Sequence, residues 1–397
     1  MISDELKRLA ADNSAIRAMF EEGNHLAQIY GRENVYDFSL GNPNFAPPPS
    51  VKKAIIEVLD TEDSMFVHGY MSNVGYADVR KAVADNLNRR FSTSFTENNI
   101  IMTVGAAGGL NVMFKTLLNP GDEVIAFSPF FVEYGNYVRN FGGVLRIVPT
   151  DPVTFQPDPE ALAAAVTPRT RAVIINNPNN PTGVIYTAEK LKAVSDALEK
   201  RCAELGTTVY ILSDEPYREL AYDGKQVPWL TKIYRNTIIG YSWSKSLSLP
   251  GDRIGYLAIP SEIDDFDEVV NAASISNRVL GFVNAPSLMQ RVVMRCLEES
   301  TDIDAYGRNR TMLYTELTKL GFECVRPDGA FYMWVKSPVA DEKEFVAAAK
   351  EYKILVVPGS SFAWPGYVRI AYCVSPDMIK RSLPAFAKLA ESYGLNK

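Results

Sequence analysis

An α/β fold is predicted, with a mostly parallel seven-stranded sheet in a large domain and a smaller α+β domain. Three observations carry that expectation. From residue 100 to 259, seven short apolar runs of strand length alternate with helical segments, as in a parallel sheet covered on both faces. The chain has 397 residues, too many for one ordinary core. Beyond residue 300 the regular alternation gives way to mixed helices and strands.

In chain order, residues 4–30 read as helical, with Ser14 placed to cap a second half carrying Ile16, Met19, Phe20, Leu26 and Ile29. Tyr36 to Leu40 alternates like a short strand, and Gly41-Asn42-Pro43-Asn44 with Pro47-Pro48-Pro49 breaks it. Amphipathic helices follow at 50–60 and 76–91. Strands are expected at 100–104, 123–127, 144–148, 171–175, 209–213, 236–240 and 254–259, with helices at 106–118, 158–166, 187–204 and 262–275. Helices at 286–298 and 304–320 lead to strands at 330–335, 353–357 and 367–372 and helices at 342–351 and 376–393. The expected division is a large domain over 46–285 and a small domain built from 1–45 and 286–397.

Composition narrows the function classes. A formal charge of −6 argues against nucleic acid as a partner. No apolar run reaches membrane-spanning length, and the start carries no secretory apolar stretch. Cys202, Cys296, Cys324 and Cys373 form no CxxC pair and read as reduced thiols of a cytoplasmic protein. Only His25 and His68 are present, which argues against a multi-histidine metal site.

The chemistry-bearing motifs fall just after strand ends, where open α/β sheets bind ligands. The sharpest is Tyr241-Ser242-Trp243-Ser244-Lys245-Ser246, followed by Arg253. A lysine set among hydroxyls on apolar, small-residue chain, with a carboxylate and an arginine supplied from elsewhere, suits a Schiff base to an aldehyde cofactor. Ser242, Ser244 and Arg253 can bind phosphate oxygens by charge-assisted hydrogen bonds. A solvated surface lysine is the bland alternative. Gly105-Ala106-Ala107-Gly108-Gly109 opens a helix whose N–H groups suit a phosphate, although such turns are as often packing devices. The turn fits neither the P-loop nor the dinucleotide fingerprint.

Asp214 ends a strand, where a carboxylate can hold a pyridinium proton; it can equally be a helix cap. Tyr217 lies three residues on, within hydrogen-bonding reach of a ring oxygen. Asn176-Asn177-Pro178-Asn179-Asn180-Pro181-Thr182-Gly183 sets asparagine amides at another strand end, and Asn180 can donate to a phenolate. Phe131 can stack on a planar ring or belong to the core. Arg369 sits in the apolar run Val368 to Tyr372, where a guanidinium needs a carboxylate from protein or ligand.

Taken together and in this order, these motifs resemble the pyridoxal-phosphate-dependent class I/II aminotransferases of fold type I, aspartate-aminotransferase-like, from Gly41 to Arg369. The resemblance implies pyridoxal 5'-phosphate as cofactor and a role for each residue. Lys245 bonds the cofactor and then carries the proton; Asp214 pairs with the ring nitrogen; Asn180 and Tyr217 bind the ring's phenolic oxygen. Phe131 stacks on the ring in place of the tryptophan or tyrosine of many relatives. Ser242, Ser244, Arg253 and the Ala106–Ala107 backbone hold the phosphate, although Ala107 stands where many relatives carry a hydroxyl or aromatic side chain. Gly41, Asn180 and Arg369 serve the substrate carboxylate end. Tyr70 matches a tyrosine that reaches the neighbouring subunit's phosphate, which implies a homodimer with shared active sites.

Arg278 falls near, and about one residue out of register with, the neighbouring-subunit arginine that binds the distal carboxylate in the aspartate branch; an ordinary surface or dimer-contact arginine is the equal alternative. The implied activity is ping-pong transfer of an amino group from an L-amino acid, aspartate-like by preference, to a 2-oxo acid. Two other readings share the cofactor residues: a β-eliminating lyase of the carbon–sulfur type, and a non-enzymatic cofactor-binding sensor.

Overall fold

The computed structural model describes residues 2–11 and 15–395. The proposed cap Ser14 lies outside the described residues, which give helices Asp4–Ala11 and Ala15–Tyr30. The chain forms two compact units. One comprises residues 45–179 and 184–303; the other comprises 1–44, 180–183 and 304–397.

The larger unit is organised by a seven-stranded sheet: β1 Ile100–Thr103, β2 Glu123–Ser128, β3 Val144–Pro149, β4 Thr170–Asn176, β5 Tyr210–Asp214, β6 Thr237–Ser242 and β7 Gly255–Ala258. The spatial order is β1-β7-β6-β5-β4-β2-β3. Strand β7 runs antiparallel to both neighbours, and the other pairings are parallel. Burial explains why these strands read as unbroken apolar runs rather than alternating ones. Every residue of β1, β2, β5, β6 and β7 is buried, as expected for strands covered on both faces. Only the edge strand β3 is largely open.

Helices begin where the sequence places caps. Thr187 accepts from Lys190 N at the start of Ala188–Leu205, and Gly206, at φ 61°, closes it. Asp158 caps Pro159–Ala165 through the N–H groups of Glu160 and Ala161.

The large unit extends past the expected boundary at 285/286. Helix Ser287–Met294 packs on helices Pro49–Thr61, Ser64–His68 and Ala77–Phe91 of that unit. Arg291 pairs with Glu62 and Asp78, and Arg295 with Glu57 and Glu62. Buried apolar residues and this ion-pair network tie the helix to the large unit, so the division falls at 303/304.

The smaller unit holds a four-stranded antiparallel sheet in the order Val357–Pro358, Tyr367–Ala371, Tyr332–Lys336, Cys324–Val325. A two-stranded parallel pair joins Tyr36–Asp37 to Ile354–Leu355. Helices Ile303–Lys319, Glu342–Glu351 and Pro376–Ser392 follow the expected ranges closely. Residues 180–183 cluster with this unit, because Gly183 O accepts from the N–H groups of Asp328 (2.8 Å) and Gly329 (2.9 Å). Among the described residues no helix is long and apolar enough to cross a membrane.

Candidate active site

The carboxyl ends of β5 and β6 supply the centre of the site in the large unit. Asp214 is the last residue of β5 and is 6% exposed. Its carboxylate Oδ2 accepts a 2.5 Å hydrogen bond from the Tyr134 hydroxyl. Its Oδ1 is buried and has no hydrogen-bond partner among the described residues. Burial pushes this carboxyl up to about 7; the Tyr134 bond opposes that and the Glu215 charge reinforces it. A buried oxygen without a partner is costly, so the site is built to receive a donor there.

The loop after β5 is anchored from below. Ser213 Oγ donates to Glu215 Oε1 at 2.7 Å, and Arg218 pairs with Glu215 Oε2. The Arg218 guanidinium also donates to the carbonyls of Val227 and Pro228, each at 3.0 Å. Tyr217, buried on that loop, presents its ring to Lys245, whose Nζ lies 5.9 Å from the ring centroid.

Lys245 stands in the short helical turn Trp243–Ser246 that caps β6. The turn forms because Ser242 Oγ accepts from Ser244 N at 3.1 Å. It is held on its far side by Tyr241 Oη, which donates to Ser246 Oγ at 2.8 Å. Thr301 N also donates to Ser246 O at 2.7 Å. The hydroxyls of Ser242 and Ser244 meet at 2.6 Å.

Arg253 is exposed and donates to Pro250 O at 2.8 Å and Val104 O at 3.3 Å. This places its guanidinium beside Gly105, at the start of helix Gly105–Leu117. Gly105 has φ 76°, and a Cβ there would lie 3.0 Å from Arg253 Nη2. Glycine is thus favoured by the backbone, and the arginine tip comes close against it. Ala106 and Ala107 offer N–H groups of the first helical turn. Helix N-terminus and guanidinium thus meet at Gly105, and with the paired hydroxyls of Ser242 and Ser244 they are donor groups of the kind that suit an anion.

Phe131 is half-buried and meets the Tyr134 ring edge-on, with centroids 5.6 Å apart and planes at 86°. Tyr134 was not singled out from the sequence, because nothing local marks a tyrosine in helix Glu133–Arg139 as a partner of a carboxylate 80 residues away. The sole available signal was its distance of three residues from Phe131.

Tyr70 and Arg278 lie elsewhere on the large unit. Tyr70 is 94% exposed, yet its segment is fixed. Asn277 Nδ2 donates to Asn73 O and Asn73 Nδ2 to Val283 O, each at 2.7 Å. Arg278 is exposed in the last turn of helix Phe266–Val279 and forms no ion pair among the described residues.

In the smaller unit, Arg369 is buried on the central strand Tyr367–Ala371. Its Nη1 donates to Asn180 Oδ1 at 3.0 Å and its Nη2 to Ser39 O at 2.5 Å. The guanidinium lies over the rings of Tyr332 (4.5 Å) and Phe362 (4.8 Å). Because Oδ1 of Asn180 takes the arginine, its Nδ2 is turned the other way as the donating end. Gly41 is a close approach: a Cβ there would fall 2.0 Å from Tyr332 Oη. The structure therefore sets Gly41 and Arg369 against Tyr332, and Asn180 against Arg369.

The arrangement offers donors suited to an anion, a buried carboxylate oxygen able to accept from a ring N–H at Asp214, and an amine over the Tyr217 ring. Among the described residues no cluster of His, Cys, Asp and Glu suits a metal ion.

Residues 33–386 match the family "Aminotransferase class I and II". The chain is 34% identical over 356 residues to aspartate/prephenate aminotransferase of Thermus thermophilus, covering 88% of this chain and 90% of that protein. It is 30% identical over 394 residues to aspartate aminotransferase of Pyrococcus horikoshii, covering 96% of each. A crystal structure of an aminotransferase from Eubacterium rectale superposes with a TM-score of 0.96 at 45% identity, over 99% of this chain and 100% of that one. Aspartate aminotransferase from Thermus thermophilus with maleate gives 0.86 at 30% identity, over 98% and 99%. These relatives favour amino-group transfer over the lyase and sensor alternatives, and the chain belongs to the class I and II aminotransferases.

Proposed function

We propose that this aminotransferase works with pyridoxal 5'-phosphate, prefers an aspartate-like L-amino donor, and acts as a cytoplasmic homodimer with shared active sites. The observation that carries the cofactor assignment is the buried Asp214 Oδ1, which lacks a hydrogen-bond partner among the described residues and fits a protonated pyridine nitrogen. The phosphate cradle of Ser242, Ser244, Arg253 and the Ala106–Ala107 backbone fits the rest of the group. Tyr217 and Asn180 supply donors for its phenolic oxygen, and Phe131 an aromatic face. Bound there, the cofactor supplies an electron sink for negative charge developing at the substrate Cα.

The chain's own residues do the remaining work. Asp214 keeps a negative charge against the ring N–H and so holds the ring cationic. Lys245 Nζ takes the proton from the substrate Cα and returns it, a task suited to an amine beside positive charge. Arg369 orients the substrate through its α-carboxylate, which matches the planar fork of donors. Amino transfer then takes two half-reactions, in which the first oxo acid leaves before the second enters.

The aspartate-like preference is supported by the names of the relatives and by Arg278, assigned to the distal carboxylate in the other subunit's site. The homodimer is supported by Tyr70, exposed on a segment that is itself pinned. Cytoplasmic location is supported by the wide scatter of the four cysteines along the sequence.

The test is a half-reaction on the cofactor-loaded protein, with single amino acids added and no oxo acid. The cofactor absorbance should convert to the amine form, fastest with aspartate or glutamate. Lys245→Ala should abolish turnover and the borohydride-reducible linkage. Release of ammonia and pyruvate with the starting absorbance restored would sink the transferase mechanism. Near-normal turnover by Lys245→Ala would sink the lysine assignment.

A further inference from the structure

We propose that Tyr134 is a positioning residue that locks the Asp214 carboxylate, so that Oδ1 alone is left to accept the cofactor's ring N–H and the carboxylate stays charged. The inference rests on the cofactor reading above and concerns a residue outside the set that reading uses.

Four observations support it. Tyr134 Oη donates to Oδ2 at 2.5 Å with both groups buried, while Oδ1 has no partner. The Tyr134 ring cannot swing away. Phe130 stacks on it, with centroids 6.3 Å apart and planes at 11°, and Phe131 meets it edge-on at 5.6 Å. The Asp214 backbone is fixed as well, because Asn176 Nδ2 donates to its carbonyl at 2.9 Å and Asp214 pairs with Gly240 in the sheet. Finally, burial holds the phenol well above its ordinary range. The proton therefore stays on Tyr134, and the hydroxyl acts only as a donor.

A donor on one carboxylate oxygen disfavours protonation of the other. Tyr134 thus opposes the burial and the Glu215 charge, which both favour the neutral acid. The other titratable groups nearby are Tyr137 on the same helix and Tyr217 on the loop after β5. Lys245 lies over the Tyr217 ring. Tyr137 is pushed up to about 12 by burial, then by the Glu133 and Asp214 charges, with Arg253 opposing.

The test uses two changes at residue 134 in the full chain. Tyr134→Phe removes only the hydroxyl. Replacement of Tyr134 by 3,5-difluorotyrosine keeps the shape and strengthens the donor. In the apoprotein, the Asp214 carboxyl carbon is followed against pH by NMR. Its midpoint should rise by about one unit with phenylalanine and fall with difluorotyrosine.

In the cofactor-loaded protein, the pH midpoint of the cofactor absorbance should move up with phenylalanine and down with difluorotyrosine. Cofactor affinity should fall about tenfold with phenylalanine, and kcat should drop while KM for the amino donor holds. Opposite shifts from the two replacements exclude a merely structural role. If wild type binds the cofactor normally and neither replacement moves either midpoint, Tyr134 has no such role and the cofactor reading survives. If wild type fails to take up the cofactor, both fall.

Discussion

The Arg218 guanidinium and the Glu215 carboxylate form an ion pair in which both side chains are almost wholly buried, 5% and 1% exposed. The pair fixes the loop that follows Asp214 and carries Tyr217. Phe91 and Trp229 stack at 4.0 Å, and Arg218 lies 5.2 Å and 4.9 Å from their ring centroids.

Arg218→Met should therefore destabilise the protein by about 3–5 kcal/mol, because it strands a buried carboxylate. Glu215→Gln with Arg218→Met should cost much less, since both charges leave together. Denaturant unfolding of the two variants checks this; equal losses would mean that the pair's charges do not matter. The single variant should also loosen the cofactor, because the loop that follows Asp214 loses its anchor.

Tyr70 makes a separable prediction. At 94% exposure its hydroxyl contributes nothing to the packing of its own subunit, so Tyr70→Phe should leave thermal stability of the apoprotein unchanged. On the proposed shared site, cofactor retention should weaken by on the order of 1.5–3 kcal/mol, the worth of one hydrogen bond from Tyr70 to the neighbouring subunit's phosphate. Dialysis followed by absorbance measures the loss. A stable, active monomer with unaltered retention would end the shared-site argument.

Much of this site was legible because it is written locally. The strands of the parallel sheet appear as apolar runs, since both faces are buried, and each observed strand starts and ends within two residues of its expected range. The placement of Ser242, Ser244 and Lys245 at the end of β6 follows from a strand end and hydroxyls adjacent in sequence. What was not legible is non-local. Nothing near Gly41 in sequence shows that Tyr332 leaves it no room for a side chain. Nothing near Asp214 points to Tyr134. The domain boundary was misplaced for the same reason: helix Ser287–Met294 owes its allegiance to Glu57, Glu62 and Asp78, more than 200 residues earlier. The helix Ser64–His68 went unread because five residues are too few to establish a period.

The role proposed for Arg369 makes substrate binding separable from cofactor binding. Arg369→Lys keeps the charge and loses the fork, and should raise KM for the amino donor at least about thirtyfold with cofactor retention intact. Gly41→Ala should act in the same direction. Its methyl would fall 2.0 Å from Tyr332 Oη, displacing a buried ring that lies 4.5 Å from the Arg369 guanidinium. Steady-state kinetics beside a cofactor titration distinguishes the two effects. A loss of cofactor without a change in KM would place Arg369 in a structural role instead.

Asp214 also governs how the apoprotein responds to pH. Burial raises its carboxyl to about 7, so between about pH 4 and 7 the folded protein holds a proton that the unfolded chain has released. Stability from this group is therefore fully present below about pH 4 and is lost as pH rises towards 7. Glu123, Asp264 and Glu342 act in the opposite sense, because hydrogen bonds and neighbouring partners hold them below their ordinary range despite burial. Comparison of wild type with Asp214→Asn isolates the one contribution. The apparent melting temperature of apo wild type should fall relative to that of the variant across this window and run parallel to it above pH 8. The cofactor should reverse the loss in wild type alone, because its ring N–H gives the charged carboxylate the donor that the apoprotein lacks. Parallel profiles throughout would mean that Asp214 is ionised in the fold without penalty, and the argument from its buried, unpartnered oxygen would fail.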